Sequence, residues 1–185
     1  MRHILWKTAL ELPGNNSPII WRADPKDPMP RDRIFLSSAT AQRQQVECYD
    51  LANGQRLWQR PLPGTPVAVE VGEETGYAAP TLATDGRHVY ALFATGTLAA
   101  CDFAGNLVWQ RNLGKVESQY GYAASLTLAR TKAGNSSVIV QWDVGSDAEQ
   151  SRSALVALDA ATGRTLWQTP RKVINGWASP ITTLA

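Results

Sequence analysis

Asp143, Asp147 and Glu149 lie close together in QWDVGSDAEQ (141–150), and three carboxylates on one loop raise the question of a cation site. Calcium takes about six to eight oxygen ligands. The spacing here matches no cation loop, so the segment reads as a solvated hairpin tip and no metal is expected. Glu70, Glu73 and Glu74 sit on the longest connection, PLPGTPVAVEVGEETGY (61–77), and long connections often carry function. His3 and His88 are the only histidines. His88, in DGRHVYA, starts a strand after a turn, which gives it a surface role, and no Ser/His/Asp triad can be placed. Cys48 and Cys101 are too few for a metal site of their own or for a disulfide framework. They read as small core hydrophobes, turned by strand alternation to opposite faces and so kept apart.

With no nucleophile–base arrangement in view, the elements that would position any site become the subject. The 185 residues are 44% apolar, enough to bury a sizeable core as one domain. Eighteen Lys plus Arg against sixteen Asp plus Glu give a formal net charge of +2 with no run of one sign, which argues against nucleic acid or an anionic membrane as partner. No apolar stretch reaches the roughly 18 residues of a membrane span, and the Met1-Arg2-His3 start lacks the apolar core of a signal peptide.

One phrase recurs: CYDLANGQRLW (48–58), ACDFAGNLVW (100–109) and ALDAATGRTLW (157–167). Each gives a small residue, an aspartate two residues on, a turn ending in glycine, and then tryptophan. Asp50, Asp102 and Asp159 can accept from backbone N–H groups just downstream, while Gly54, Gly105 and Gly163 supply φ > 0. The closing Trp58, Trp109 and Trp167 fall on the returning strand, where a large ring can wedge against a neighbouring unit. Trp6 in HILWKTAL belongs to the same series. A second series, NNSPIIW (15–21), GYAAPTLA (76–83), GYAASLTLA (121–129) and GWASPITTLA (176–185), marks innermost strand starts. Two further β-rich runs lie between each opening phrase and its tryptophan. The reading is therefore an all-β partial propeller of about three complete four-stranded antiparallel blades within a single domain, 1–185. The blades span approximately 17–60, 77–111 and 122–169, with orphan terminal strands at 4–10 and 178–185.

The phrase at 157–167 matches A-x-D-x-x-T-G-x-x-x-W completely, and the chain from about Leu5 to Ala185 resembles the bacterial PQQ-binding-like β-propeller repeat proteins. Related propellers have seven or eight blades, which implies a partial chain, with a homodimer closing one pseudo-ring as the rival. The resemblance also implies an exported, periplasmic setting. Quinoprotein dehydrogenases hold their cofactor with calcium, an adjacent cysteine pair and a stacking tryptophan. Cys48 and Cys101 are not adjacent, so no cofactor is expected, and PQQ with calcium belongs only to the alternative that the chain is part of such a dehydrogenase.

Loops entering the innermost strands gather at one end of a propeller channel, and here they offer Glu74, Tyr77, Gln119, Tyr120, Arg171, Asn175 and Trp177. Aromatic faces with a few polar groups suit a binding site. The sequence thus points to a non-catalytic scaffold whose protein or small-ligand partner binds through Glu74, Tyr77, Tyr120, Arg171 and Trp177. A scaffold resembling outer-membrane protein assembly factors is a further alternative.

Overall fold

A computed structural model describes residues 3–26, 30–118, 120–130, 134–176 and 178–182. Twelve strands form three separate four-stranded antiparallel sheets among these residues, with no helix. The first sheet is β1 (Ile19–Trp21), β2 (Arg33–Ala39), β3 (Gln44–Asp50) and β4 (Arg56–Pro61). The second is β5 (Ala83–Thr84), β6 (His88–Leu92), β7 (Thr97–Asp102) and β8 (Leu107–Asn112). The third is β9 (Thr127–Arg130), β10 (Ser136–Trp142), β11 (Ala154–Asp159) and β12 (Thr165–Pro170). Each sheet is a meander in chain order, as propeller blades are.

The sheets pack face to face in succession, so the middle sheet buries both faces. Along β6, Val89 and Ala91, continued by Phe93, join Phe35, Val46 and Cys48 of the first sheet, whereas Tyr90 and Leu92 join Val138, Val140 and Leu158 of the third. Strand alternation divides one five-residue run between two cores. The same geometry places Cys48 and Cys101 in one interlayer with no disulfide between them. They point to opposite faces of successive sheets, and those faces are the two sides of one layer, so both thiols lie in the same apolar cluster, buried and free.

The aspartate–glycine turns form as the sequence implies. Asp50, Asp102 and Asp159 accept through a side-chain oxygen from Ala52, Ala104 and Thr162. Gly54, Gly105 and Gly163 take φ of +71°, +87° and +71°. Beyond each turn the outer strand slips by one residue against its partner, opposite Cys48/Tyr49, Ala100/Cys101 and Ala157/Leu158. The bulge precedes the tryptophan in all three sheets and re-aims it. Trp58 then lies on Gly105 of the next sheet and donates from Nε1 to the Phe103 carbonyl at 2.9 Å. Trp109 does the same to Gly163 and the Ala160 carbonyl at 3.0 Å. Trp6 repeats the contact on Gly54 and the Leu51 carbonyl at 3.0 Å. A Cβ on any of these glycines would stand within 2.8 Å of the ring.

Near the axis a second tie links the sheets. The Ser17 amide donates to Thr81 Oγ1, the Thr81 amide to Ser125 Oγ, and the Ser125 amide to Ser179 Oγ, at 3.3, 3.1 and 3.0 Å. Each hydroxyl opens an innermost strand segment and accepts from the segment before it.

The terminal stretches differ from expectation. Residues 4–10 and 178–182 carry no ladder, because no strand among the described residues lies beside them to pair, and 183–185 fall outside the described residues. Side chains hold these stretches instead. Thr8 Oγ1 donates to the Gly54 carbonyl at 2.7 Å, and Thr182 Oγ1 to the Leu128 carbonyl at 3.0 Å.

Replacing Trp58 or Trp109 by alanine removes a ring wedged between sheets and is expected to cost about 2–4 kcal/mol. Trp167→Ala removes a ring with no such seat among the described residues and should cost less than about 0.5 kcal/mol. Denaturant midpoints of the three variants check the contrast.

Candidate functional site

The connections from each outer strand to the next innermost segment are linked into a rim at one end of the sheets. Asn15 Nδ2 donates to the Glu74 carbonyl at 2.6 Å, and its amide to the Ala78 carbonyl at 3.0 Å. The Tyr120 ring lies against Gly72, where a Cβ would approach it to 3.1 Å, which joins the 62–82 and 113–126 connections. Asn175 Nδ2 donates to the Glu117 carbonyl at 3.0 Å and brings in the third connection.

Local sequence explains how residues 171–176 reach this position. Ser153, almost fully buried, uses its hydroxyl to receive the Val144 amide at 2.8 Å and to bond the Val173 carbonyl at 2.9 Å. Ser151 Oγ donates to the same Val173 carbonyl. These hydroxyls fold the chain after β12 back across the mouth of its own sheet.

That fold-back carries Arg171 to Asp143, Nη1 to Oδ1 at 2.7 Å, while Gln141 Nε2 donates to Oδ2 at 2.8 Å. The Asp143 side chain is 5% exposed and that of Arg171 33%, so the cation is the solvent-facing partner. Burial pushes the Asp143 carboxyl above its ordinary value, against the opposing pull of Arg171, Gln141 and the Gly176 amide. The expectation of a solvated acidic tip fails for Asp143: it is buried directly after the last residue of β10, and Asp147 and Glu149 continue into the loop without it. Beside the pair lies a space of about 20 Å³, bordered by Gly121, Tyr122, Asn175 and Gly176, enough for about one water. Asn175 Oδ1 is buried there without a partner.

The other proposed rim residues fall into different roles. Tyr77 packs on the core between the first two sheets, and its hydroxyl donates to the Val69 carbonyl at 3.3 Å. Glu74 is exposed and contributes its backbone carbonyl. Gln119 and Trp177 lie outside the described residues. Tyr120 borders an open groove of about 450 Å³ together with Glu117, Ser118, Gly145, Ser146, Ile174 and Asn175. Gln141, Gly176 and the pairing of Asp143 with Arg171 were missed, since 28 residues separate the two charges and no local pattern announces the pair.

Two other groupings lie elsewhere. His88 sits at the opposite end of its sheet, half-buried, with Nδ1 3.6 Å from Asp85, whose carboxylate also accepts from Tyr90 at 2.9 Å. Glu47 is fully buried in the first sheet, where Ser38, Gln45 and Tyr49 all donate to it. Burial pushes the Cys48 thiol up to about 12 and the Cys101 thiol up to about 11, which keeps both protonated and unreactive at neutral pH.

With this geometry in view, the family model described as outer membrane protein assembly factor BamB matches residues 3–170. The chain belongs to this family of PQQ-like β-propeller repeats. No curated protein sequence matches it. Among solved structures, BamB from Moraxella catarrhalis is similar at 20% identity and a TM-score of 0.53, over 89% of this chain and 42% of that one. Quinohemoprotein alcohol dehydrogenase from Comamonas testosteroni is similar at 20% identity and a TM-score of 0.51, over 85% of this chain and 21% of that one. This PQQ-like repeat chain therefore spans less than half the length of either structure, and at such identities the likeness is one of fold.

The raised Asp143 carboxyl has a definite linkage sign. A folded-state value above the unfolded one means that the folded chain binds more protons between the two, so lowering the pH through that window stabilises the fold. Asp32, Asp85 and Asp102 are shifted down and act oppositely, but they are common to both chains in a comparison with Asp143→Asn. Between pH 7 and 4 the melting temperature of the wild type is expected to rise relative to that of Asp143→Asn. A constant difference across that range would contradict the assignment.

Proposed function

We propose that this PQQ-like repeat chain is a non-catalytic binding module that holds an extended segment of a partner protein along its rim. The observation that carries the reading is the division of labour there. Asp143, Arg171 and Gln141 satisfy one another around a space that holds about one water, while the groove outside them, about 450 Å³ in volume, stays open and mixes Tyr120 and Ile174 with polar walls. Ile174 is half exposed, and Arg171 presents its guanidinium from the site behind it. An apolar partner side chain laid on Tyr120 and Ile174, with its backbone bonded to the polar walls, suits a groove of this size. Glu74 extends the binding surface along the same rim in this proposal, and Tyr77 supports it from beneath.

Quinone and calcium have no part in this reading. Its support is that Asp143 already commits both carboxylate oxygens, to Arg171 and to Gln141. A role in outer-membrane protein assembly, and with it a periplasmic location, follows from the family as part of the same proposal.

A photo-crosslinking residue at position 174 or 120 should capture discrete partner adducts in producing cells. The same residue at position 87, at the far end of the second sheet, should not. Ile174→Ser should remove the adducts formed from position 120. Equal labelling from both ends would contradict the proposal, and so would dye reduction with alcohols after loading with quinone and calcium.

A further inference from the structure

At the end of the sheets opposite the rim, where the aspartate–glycine turns lie, the first two sheets leave an open groove of about 480 Å³ bordered by Pro30, Arg31, Arg33, Leu57, Trp58 and Phe103. Sites for small ligands usually measure about 300–1,000 Å³. This lining is aromatic and cationic, and none of its residues is acidic.

The repeat supplies an internal control for these residues. In the first sheet Arg33 stands opposite the turn aspartate Asp50, and in the second His88 stands opposite Asp102. Trp58 donates to the carbonyl of Phe103, whereas Trp109 donates to that of Ala160. Trp109 thus takes the same kind of seat with neither an arginine nor a phenylalanine in those two places. Arg33 and Phe103 exceed what the seat requires.

Their arrangement presents a cation with unused donors. The Phe103 ring is fixed by Phe35 and Trp21, with centroids 4.9 and 5.8 Å away, and the Arg33 guanidinium stands over it at 5.5 Å. A guanidinium held on an aromatic face keeps its N–H edge for an acceptor. Arg33 Nη1 donates to the Arg31 carbonyl at 3.1 Å, but its Nε is buried with no acceptor among the described residues. Leaving a buried charged donor unpaired is costly. Arg31 is half exposed and reaches Asp50 only through Nε at 3.6 Å, a loose pair. Asp50 gives its other carboxylate oxygen to the Ala52 amide and does not border the groove.

We infer that this groove binds a small aromatic anion, a flat apolar ring that carries a carboxylate. The ring rests among Leu57, Trp58 and Phe103, and the carboxylate accepts from Arg33 Nε and from the Arg31 guanidinium. A planar carboxylate matches the guanidinium fork, and with no acid in the lining its charge meets no opposition. The site lies at the other end of the sheets from the rim and does not depend on the rim reading.

The test uses the full 185-residue chain labelled with nitrogen-15. The probes are naphthoate, naphthylmethanol, which keeps the ring without the charge, and acetate, which keeps the charge without the ring. Naphthoate is expected to shift the Trp58 indole resonance, assigned with Trp58→Phe, and to saturate, while that of Trp167 stays in place. Naphthylmethanol should bind at least about tenfold more weakly, and acetate should leave the resonance unmoved. Arg33→Gln and Arg31→Gln should each weaken naphthoate binding at least about fivefold, and the exposed Arg31 keeps the test open if the Arg33 variant fails to fold. No shift at millimolar naphthoate would overturn the inference. Equal binding of naphthylmethanol or of acetate would overturn it too, and so would naphthoate binding unchanged by Arg31→Gln.

Discussion

The structure depends on an indole ring lying flat against a turn that has no Cβ. A tryptophan on one sheet and a left-handed glycine on the next meet at distances that leave no room for a methyl group. Neither half works without the other. The glycine conformation closes the hairpin, its bare α-carbon admits the ring, and the turn's free carbonyls satisfy the indole N–H, which would otherwise be costly to bury. Burying a tryptophan removes on the order of 200 Å² from water, so even partial coverage gives each junction a few kcal/mol. The sheets therefore stabilise one another in series, and the axial chain of hydroxyls at Thr81, Ser125 and Ser179 repeats that dependence at the inner edge.

Because the faces of the sheets are spent on each other, chemistry is confined to their ends. Buried hydroxyls at Ser151 and Ser153 fold the segment after β12 across the mouth of the third sheet, and that fold-back brings Arg171 to Asp143. Among the described residues the first two sheets have no such pair at the matching position. In the second sheet, Ala94 fills it and packs against Gly121. One sheet of three has thus been given a charged mouth, and the neighbouring groove draws its polar walls from Glu117, Ser118, Ser146 and Asn175.

What the sequence made legible was the local part of this design. The aspartate, the turn glycine and the tryptophan lie within about a dozen residues of one another, so turn chemistry alone ties them together, and four tryptophans at blade spacing imply repeated sheets. The bulge ahead of each tryptophan was not legible, since it depends on the pairing of two strands and no residue type marks it. Nor was the second ring-on-glycine contact, Trp21 on Gly86, where the glycine belongs to an ordinary Asp-Gly turn. Terminal segments written like strands remain unpaired because pairing is a property of neighbours and cannot be read from composition. The Asp143–Arg171 pair stayed hidden for the same reason, since only the tertiary path of residues 171–176 brings the two charges together.

Hydrogen exchange of the indole N–H groups tests the central claim most directly, because it reads each ring in its seat one at a time. Trp6, Trp58 and Trp109 donate to turn carbonyls of the sheet beside them and should exchange slowly, whereas the Trp167 indole, with no described acceptor, should exchange at close to the rate of a free side chain. Equal, fast exchange at Trp58, Trp109 and Trp167 would contradict the account, since it would mean that the rings do not hold successive sheets together.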